Sequence, residues 1–176
     1  MKEKVLEIAK SYVGYLEKSS DADLDDFKAN AESNNYTKFA RNFFPELQGL
    51  AWCCMFVYSC FAYAYGADTA TKMLGGIKTA RCLELWNAMV EKGLNRDDIS
   101  KAEEGDLIFF QKNGFICHIG IVIKVNKDSI ETIEGNTFLK NNELVESGDG
   151  VYQKKYEITN EKISGVASPD WKYVCK

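Results

Sequence analysis

A cysteine, a histidine and a carboxylate, in that order along a chain, can supply a thiol nucleophile, its base and the group that orients the base. This chain has a single histidine, so any step that needs an imidazole must use His118. It lies in Cys117-His118-Ile119-Gly120-Ile121-Val122-Ile123, an apolar run that reads as a strand. Glu134 and Asn136 close the next apolar run, in Thr132-Ile133-Glu134-Gly135-Asn136-Thr137, and Trp52-Cys53-Cys54 opens a stretch with helical spacing upstream. Such parts would cleave an amide by way of a thioester.

Two adjacent cysteines compete for the nucleophile's role. Cys53 is in phase with Phe56, Val57 and Cys60, the face expected to pack on a sheet, whereas Cys54 is turned by about 100° toward the flank. Cys53 is therefore the expected nucleophile. In the first helical turn it would feel the helix dipole, which favours thiolate, and free backbone N–H groups that can donate to an oxyanion. The bland alternative is a pair of core thiols. Strand alternation puts His118 with Ile116, Gly120 and Val122 on one face, and Gly120 leaves space beside the imidazole for a substrate. One ring nitrogen must meet the thiol and the other an acceptor. Glu134 and Asn136 both qualify, and the alternative for Glu134-Gly135-Asn136 is a turn.

The elements that must position these groups follow from periodicity. Val5, Ile8, Ala9, Tyr12 and Val13 recur at helical spacing before a capping Gly14. Residues 17–35 read as a polar, acidic surface loop, and 36–44 as a short helix ending before Pro45. A helix runs from the Cys53 region to Gly66, and another over 77–92 is stopped by Gly93. Strands are expected over 106–110, 115–125, 129–133 and 151–158, with turns at Asn113-Gly114 and Asn126-Lys127-Asp128 and a longer polar loop over 140–150. Helices first and antiparallel strands second make an α+β domain, with N-terminal helices packed on an antiparallel sheet.

At 176 residues the chain is expected to form one domain, residues 1–176. A net charge of -4 argues against nucleic acid as a partner, since backbone binding needs a basic face. No stretch approaches the roughly 18 apolar residues of a membrane span. The charged N-terminus lacks the apolar region of a signal peptide, so synthesis in the cytoplasm is expected. The six cysteines, at 53, 54, 60, 82, 117 and 175, include no CxxC pair and read as buried free thiols, with no disulfide framework and no structural zinc.

Trp52-Cys53-Cys54-Met55-Phe56-Val57, Gly105-Asp106-Leu107-Ile108-Phe109-Phe110, His118-Ile119-Gly120-Ile121-Val122 and Thr132-Ile133-Glu134-Gly135-Asn136-Thr137 together resemble the CHAP domain, the cysteine, histidine-dependent amidohydrolases/peptidases. The N-terminal Val13-Gly14-Tyr15-Leu16-Glu17-Lys18 and Ser33-Asn34-Asn35-Tyr36-Thr37-Lys38 are similar to CHAP endolysins of Gram-positive phages. The resemblance implies a papain-like core and a peptidoglycan hydrolase, either an N-acetylmuramoyl-L-alanine amidase or an endopeptidase. It implies Cys53 as nucleophile, His118 as base, Glu134 and Asn136 as orienting residues, and a phage or prophage endolysin that acts on the cell wall after release. A monomer without cofactor is expected. Other readings are an intracellular papain-like amidase or protease, and an inactive wall-binding module.

One further motif concerns a metal. Asp21, Asp23 and Asp25 alternate, and Glu32 stands at the twelfth place counted from Asp21. This is the skeleton of a calcium loop, although Asp26 replaces the glycine of the sixth place. Some CHAP domains bind calcium in this region, so calcium is a candidate here; the alternative is a solvated acidic loop.

Overall fold

The structure is a computed structural model describing residues 1–139 and 148–174. Cys175 and most of the loop expected over 140–150 lie outside the described residues. Five helices, α1 (Lys2–Ser11), α2 (Lys38–Phe43), α3 (Cys53–Tyr65), α4 (Ala67–Met73) and α5 (Cys82–Glu91), precede five strands, β1 (Leu107–Lys112), β2 (Phe115–Val125), β3 (Ser129–Thr137), β4 (Gly150–Glu157) and β5 (Ile163–Ala167). The strands form one antiparallel sheet in the order β4-β3-β2-β1-β5. The fold is α+β, as the element pattern required.

Helix α3 is the axis of the molecule. Its sequence has no glycine or proline until Gly66, whose φ of 84° ends it. Eleven of its residues, from Cys53 to Ala64, are buried, so it is enclosed on nearly every side rather than on one stripe. Against it pack α1, α2, α4 and strands β2 and β3, and the cluster around it takes in Leu107, Phe109, Ile119, Ile121, Ile133 and Val151 of the sheet. Full burial of Phe56 or Phe61 contributes about 2–3 kcal/mol each. A second, smaller cluster built on Ile108, Phe110, Val122, Ile130, Tyr156 and Val166 gives the sheet two buried faces.

Several boundaries differ from expectation for local reasons. Helix α1 stops at Ser11 with Tyr12 as its cap, and Gly14 serves a following turn at φ 91°. Helix α2 starts after Thr37, whose hydroxyl accepts from the Ala40 N–H. The expected helix over 77–92 begins only at Cys82. Helix α4 and strand β5 carried too little periodicity to be read. In β5 the pattern is broken by Gly165, where an added Cβ would sit 2.4 Å from the Trp86 ring. Residues 17–36 form the expected surface wrap, pinned by isolated bridges from Leu16 to Gly150 and from Lys18 to Ala31 and Tyr36.

Candidate active site

Cys53 is the first residue of α3, and Trp52 before it offers no side-chain cap. The first-turn N–H groups therefore have no intrahelical acceptor and point past the thiol. The neighbouring Trp52 indole donates to the Glu17 carboxylate at 2.7 Å, in a fully buried contact. Burial raises the Glu17 carboxyl, while the indole and the Asn35 N–H pull it back down. The residue before Cys53 is thus held from the N-terminal wrap.

Packing phase does not separate the two cysteines, since both faces of α3 are buried. Their contacts do. The Cys54 thiol donates to the Thr79 carbonyl at 3.3 Å, in the α4–α5 connection. The Cys53 thiol lies 3.5 Å from the sulfur of Cys82 and close enough to His118 for each to act on the other's titration. Cys82, the first residue of α5, is the neighbour that sequence reasoning passed over as a core thiol. With its helix expected from residue 77, Cys82 does not read as a helix-opening residue, and nothing in the sequence sets it apart.

His118 is 3% exposed, and its Nε2 lies 2.9 Å from Glu134 Oε2. That leaves Nδ1 for the thiol. The expected alternation fails one step before the ring: β1 and β2 shift register between Phe110 and Gln111, so that Phe110 pairs with His118 but Gln111 with Ile116. Ile116 consequently packs with the helix-side cluster, while His118 stacks at a tilt near Phe110, at 5.9 Å. The irregularity presents the imidazole in a way a regular strand would not.

Glu134 belongs to β3 rather than to a turn, and it is completely buried. Besides His118, Thr132 donates to its Oε1 at 2.5 Å and Tyr156, on β4, donates to its Oε2 at 3.1 Å. Gly120 makes room for this carboxyl group: a Cβ there would meet Glu134 Cγ at 2.7 Å. The space beside the imidazole is therefore filled by Glu134, not left for substrate as the sequence suggested. Gly135 has a similar function toward α3, since a Cβ would fall 2.6 Å from Phe56 and 2.8 Å from Trp52.

Asn136 is brought close in sequence but has a different task. At φ 56° it sits where β3 and β4 lose register, and its Oδ1 accepts from the Gly148 N–H at 3.1 Å. The bond to the ring is made by Glu134.

The electrostatics follow from these contacts. Burial alone would lower the His118 imidazole, but the Cys53 thiol and the Glu134 carboxylate carry it up to about 10. The neighbouring Cys82 and burial push the Cys53 thiol well above its ordinary value, against the pull of His118. This reverses the lowering expected from the helix start alone: the dipole is outweighed by the second thiol and the dry surroundings. The pair can run acid–base chemistry once a substrate carbonyl displaces the Cys82 contact.

The acidic residues suggested for calcium are spread rather than gathered. Asp25 takes a two-pronged bond from Arg41 and a salt bridge from Lys38, which hold its carboxyl far below the usual range. Asp21 accepts from Gln48 at 2.8 Å, and Asp23 and Glu32 are exposed. Among the described residues no cluster of three or more histidine, cysteine, aspartate or glutamate side chains is placed to hold a metal ion. Among the same residues no helix is long and apolar enough to cross a membrane. Of the cysteines, Cys53, Cys54, Cys60 and Cys82 are buried and form no disulfide, whereas Cys117 is exposed rather than a core thiol.

Comparison with known proteins adds three findings. Residues 46–136, just over half of the chain, match the CHAP domain. Among curated proteins none matches by sequence. Among solved structures, the NlpC/p60 domain of the peptidoglycan hydrolase SagA aligns over 96% of this chain and 98% of its own, at 16% identity and a TM-score of 0.48. Ly7917 aligns over 96% of this chain at 12% identity and a TM-score of 0.52, both in one crystal structure and in another with the hydrolyzing product of MDP. The chain covers 62% of Ly7917's length, and at that identity the likeness bears on the fold.

Proposed function

The chain belongs to the CHAP domain family, and from that premise we propose that it is a peptidoglycan hydrolase acting by a cysteine–histidine mechanism. The observation that carries the reading is the 2.9 Å bond between His118 Nε2 and the buried Glu134 carboxylate, with the Cys53 thiol close enough to raise the ring's titration. Cys53 is the nucleophile, His118 the acid–base group and Glu134 the residue that fixes the ring's orientation. Asn136 acts at one remove, by holding Gly148 beside the end of β3.

Attack begins when His118 takes the proton of Cys53, and the sulfur adds to an amide carbonyl. N–H groups of the first turn of α3 stabilise the resulting oxyanion. The protonated His118 donates to the departing amine, leaving a thioester. Water, deprotonated by His118, then releases the acid and restores the thiol. The bond cleaved is either that between N-acetylmuramic acid and L-alanine or one within the stem peptide or cross-bridge. The protein acts as a phage or prophage endolysin, reaching the wall after release from the cytoplasm.

Turbidity of purified Gram-positive walls, followed by mass spectrometry of the fragments, tests the reading. New lactyl-terminated glycan and alanine amino termini identify an amidase, and new termini inside the peptide identify an endopeptidase. No wall lysis by the wild-type protein, or lysis retained by Cys53→Ala, overturns it.

A further inference from the structure

The catalytic reading leaves Cys82 unexplained. A second thiol 3.5 Å from the first is not needed for amide hydrolysis. Each of the two cysteines opens a helix, α3 and α5, of 13 and 10 residues. His118 beside Cys53 pulls its thiol down, against the Cys82 contact and the burial that hold it above its ordinary value. Cys53 is 5% exposed and Cys82 6%, which leaves a narrow approach that a molecule as small as hydrogen peroxide can use. Cys54 and Cys117 also act electrostatically on Cys82, but the sulfur contact at 3.5 Å is that of Cys53. Cys54 is bound to the Thr79 carbonyl, Cys60 is fully buried further along α3, and Cys117 is on the exposed side of β2.

We propose that Cys53 and Cys82 form a site of reversible oxidation by peroxides, with Cys53 as the sulfur attacked and Cys82 as the resolving thiol. The Cys53 thiolate attacks one oxygen of the peroxide, giving a sulfenic acid and hydroxide. The Cys82 thiolate then attacks the sulfenic sulfur and expels its hydroxyl group. With the two thiol protons the products are one disulfide and two waters. The two thiols have lost two electrons and the peroxide has gained them. An external dithiol reverses the reaction by exchange.

The geometry makes closure short. A disulfide needs sulfurs about 2.05 Å apart, so one side must advance by roughly 1.5 Å. The segment before Cys82 is suited to give: Gly75 and Gly76 both have positive φ, and no helix or strand is formed between α4 and α5. The resulting bond removes the nucleophile and also shields it from irreversible over-oxidation.

The inference rests on Cys53 being the reactive thiol, and its test separates that reading from its own failure. Purified protein is treated with hydrogen peroxide and its mass, peptide map and wall lysis are followed before and after dithiothreitol. The expected result is loss of two hydrogen atoms, a cross-linked Cys53–Cys82 peptide, and lysis reduced by roughly tenfold or more and then restored by the dithiol. Under excess peroxide, Cys82→Ser and Cys82→Ala, each compared with its own untreated activity, should carry Cys53 on to sulfinic or sulfonic acid, gaining two or three oxygen atoms, with lysis that the dithiol does not restore. Wild-type protein in which Cys53 and Cys82 stay unlinked, or link to other thiols, overturns the inference, as does dithiol recovery in both variants. A cross-link that forms in a protein without lytic activity leaves the inference standing and removes the hydrolase reading instead.

Discussion

Replacing Glu134 by glutamine keeps the shape of the side chain and deletes its charge, and a single histidine makes the consequence directly readable. His118 stands at about 10 against an ordinary 6.5, a gap worth about 5 kcal/mol at roughly 1.4 kcal/mol per pH unit. The contacts with Cys53 and Glu134 both raise it. A neighbouring carboxylate accounts for about 1–3 pH units in such pairs, so Glu134→Gln should bring the ring down by that much. Because its folded value lies above its unfolded one, the imidazolium contributes stability that is fully present below about pH 6.5 and lost as pH rises toward 10. The variant should therefore be less stable than wild type at pH 6, by about 1.4–4 kcal/mol. The difference should shrink as pH approaches 10. Lysis should weaken, and its alkaline limb should shift to lower pH. Nitrogen-15 NMR of the one imidazole gives the titration without assignment ambiguity, and melting curves across the same pH range give the stability. An imidazole that titrates in Glu134→Gln within about 0.3 pH units of wild type, a small part of the 1–3 expected, refutes the reasoning.

Cys53→Ala should lower wall lysis by at least about 10⁴-fold with little change in melting temperature, as removal of a nucleophile does elsewhere. Cys54→Ala should keep most of the activity and cost about 1 kcal/mol in packing; equal losses in the two variants, by turbidity assay, would assign the nucleophile wrongly. Gly120→Ala should drive the Glu134 carboxyl group from the ring, destabilising the fold by about 1–3 kcal/mol and lowering the His118 titration in the same NMR experiment. Tyr156→Phe removes one donor to a buried carboxylate without changing shape. Its expected cost is about 1–3 kcal/mol, measured by denaturant unfolding, with lysis largely retained because Thr132 and His118 still hold Glu134.

The parts of the site that sequence reveals are those whose residue types are chemically irreplaceable. One histidine, a cysteine opening a helix and a carboxylate ending the next strand left little freedom, and the structure joins Cys53, His118 and Glu134. What escaped depends on distances between segments remote in sequence. Cys82 meets Cys53 only because α5 folds back on the start of α3. Tyr156 reaches Glu134 only because β4 pairs with β3. Asn136 and Glu134 looked equivalent because alternation puts them on one face, and the positive φ of Asn136 breaks that equivalence. Gly120 shows the same limit. A missing side chain announces a close approach but does not say what approaches. Elements with long periodic patterns, such as α3 and β2, were legible, whereas the five-residue β5 and seven-residue α4 were formed mainly by tertiary packing.

The bond from the Trp52 indole to Glu17 has a consequence for how this protein could be inherited or recombined. Family membership rests on residues 46–136, which contain Cys53, His118 and Glu134. A shuffling event that moved only that segment would transfer the reacting groups. It would leave behind the carboxylate that receives the indole beside Cys53 and the phenol that donates to Glu134. It would also strand β3 without β4, exposing an unpaired sheet edge along the strand that carries Glu134. Because β5 pairs with β1 on the other edge, the smallest portable unit runs from the N-terminal wrap through β5, well beyond the stretch in which the family's signature is written.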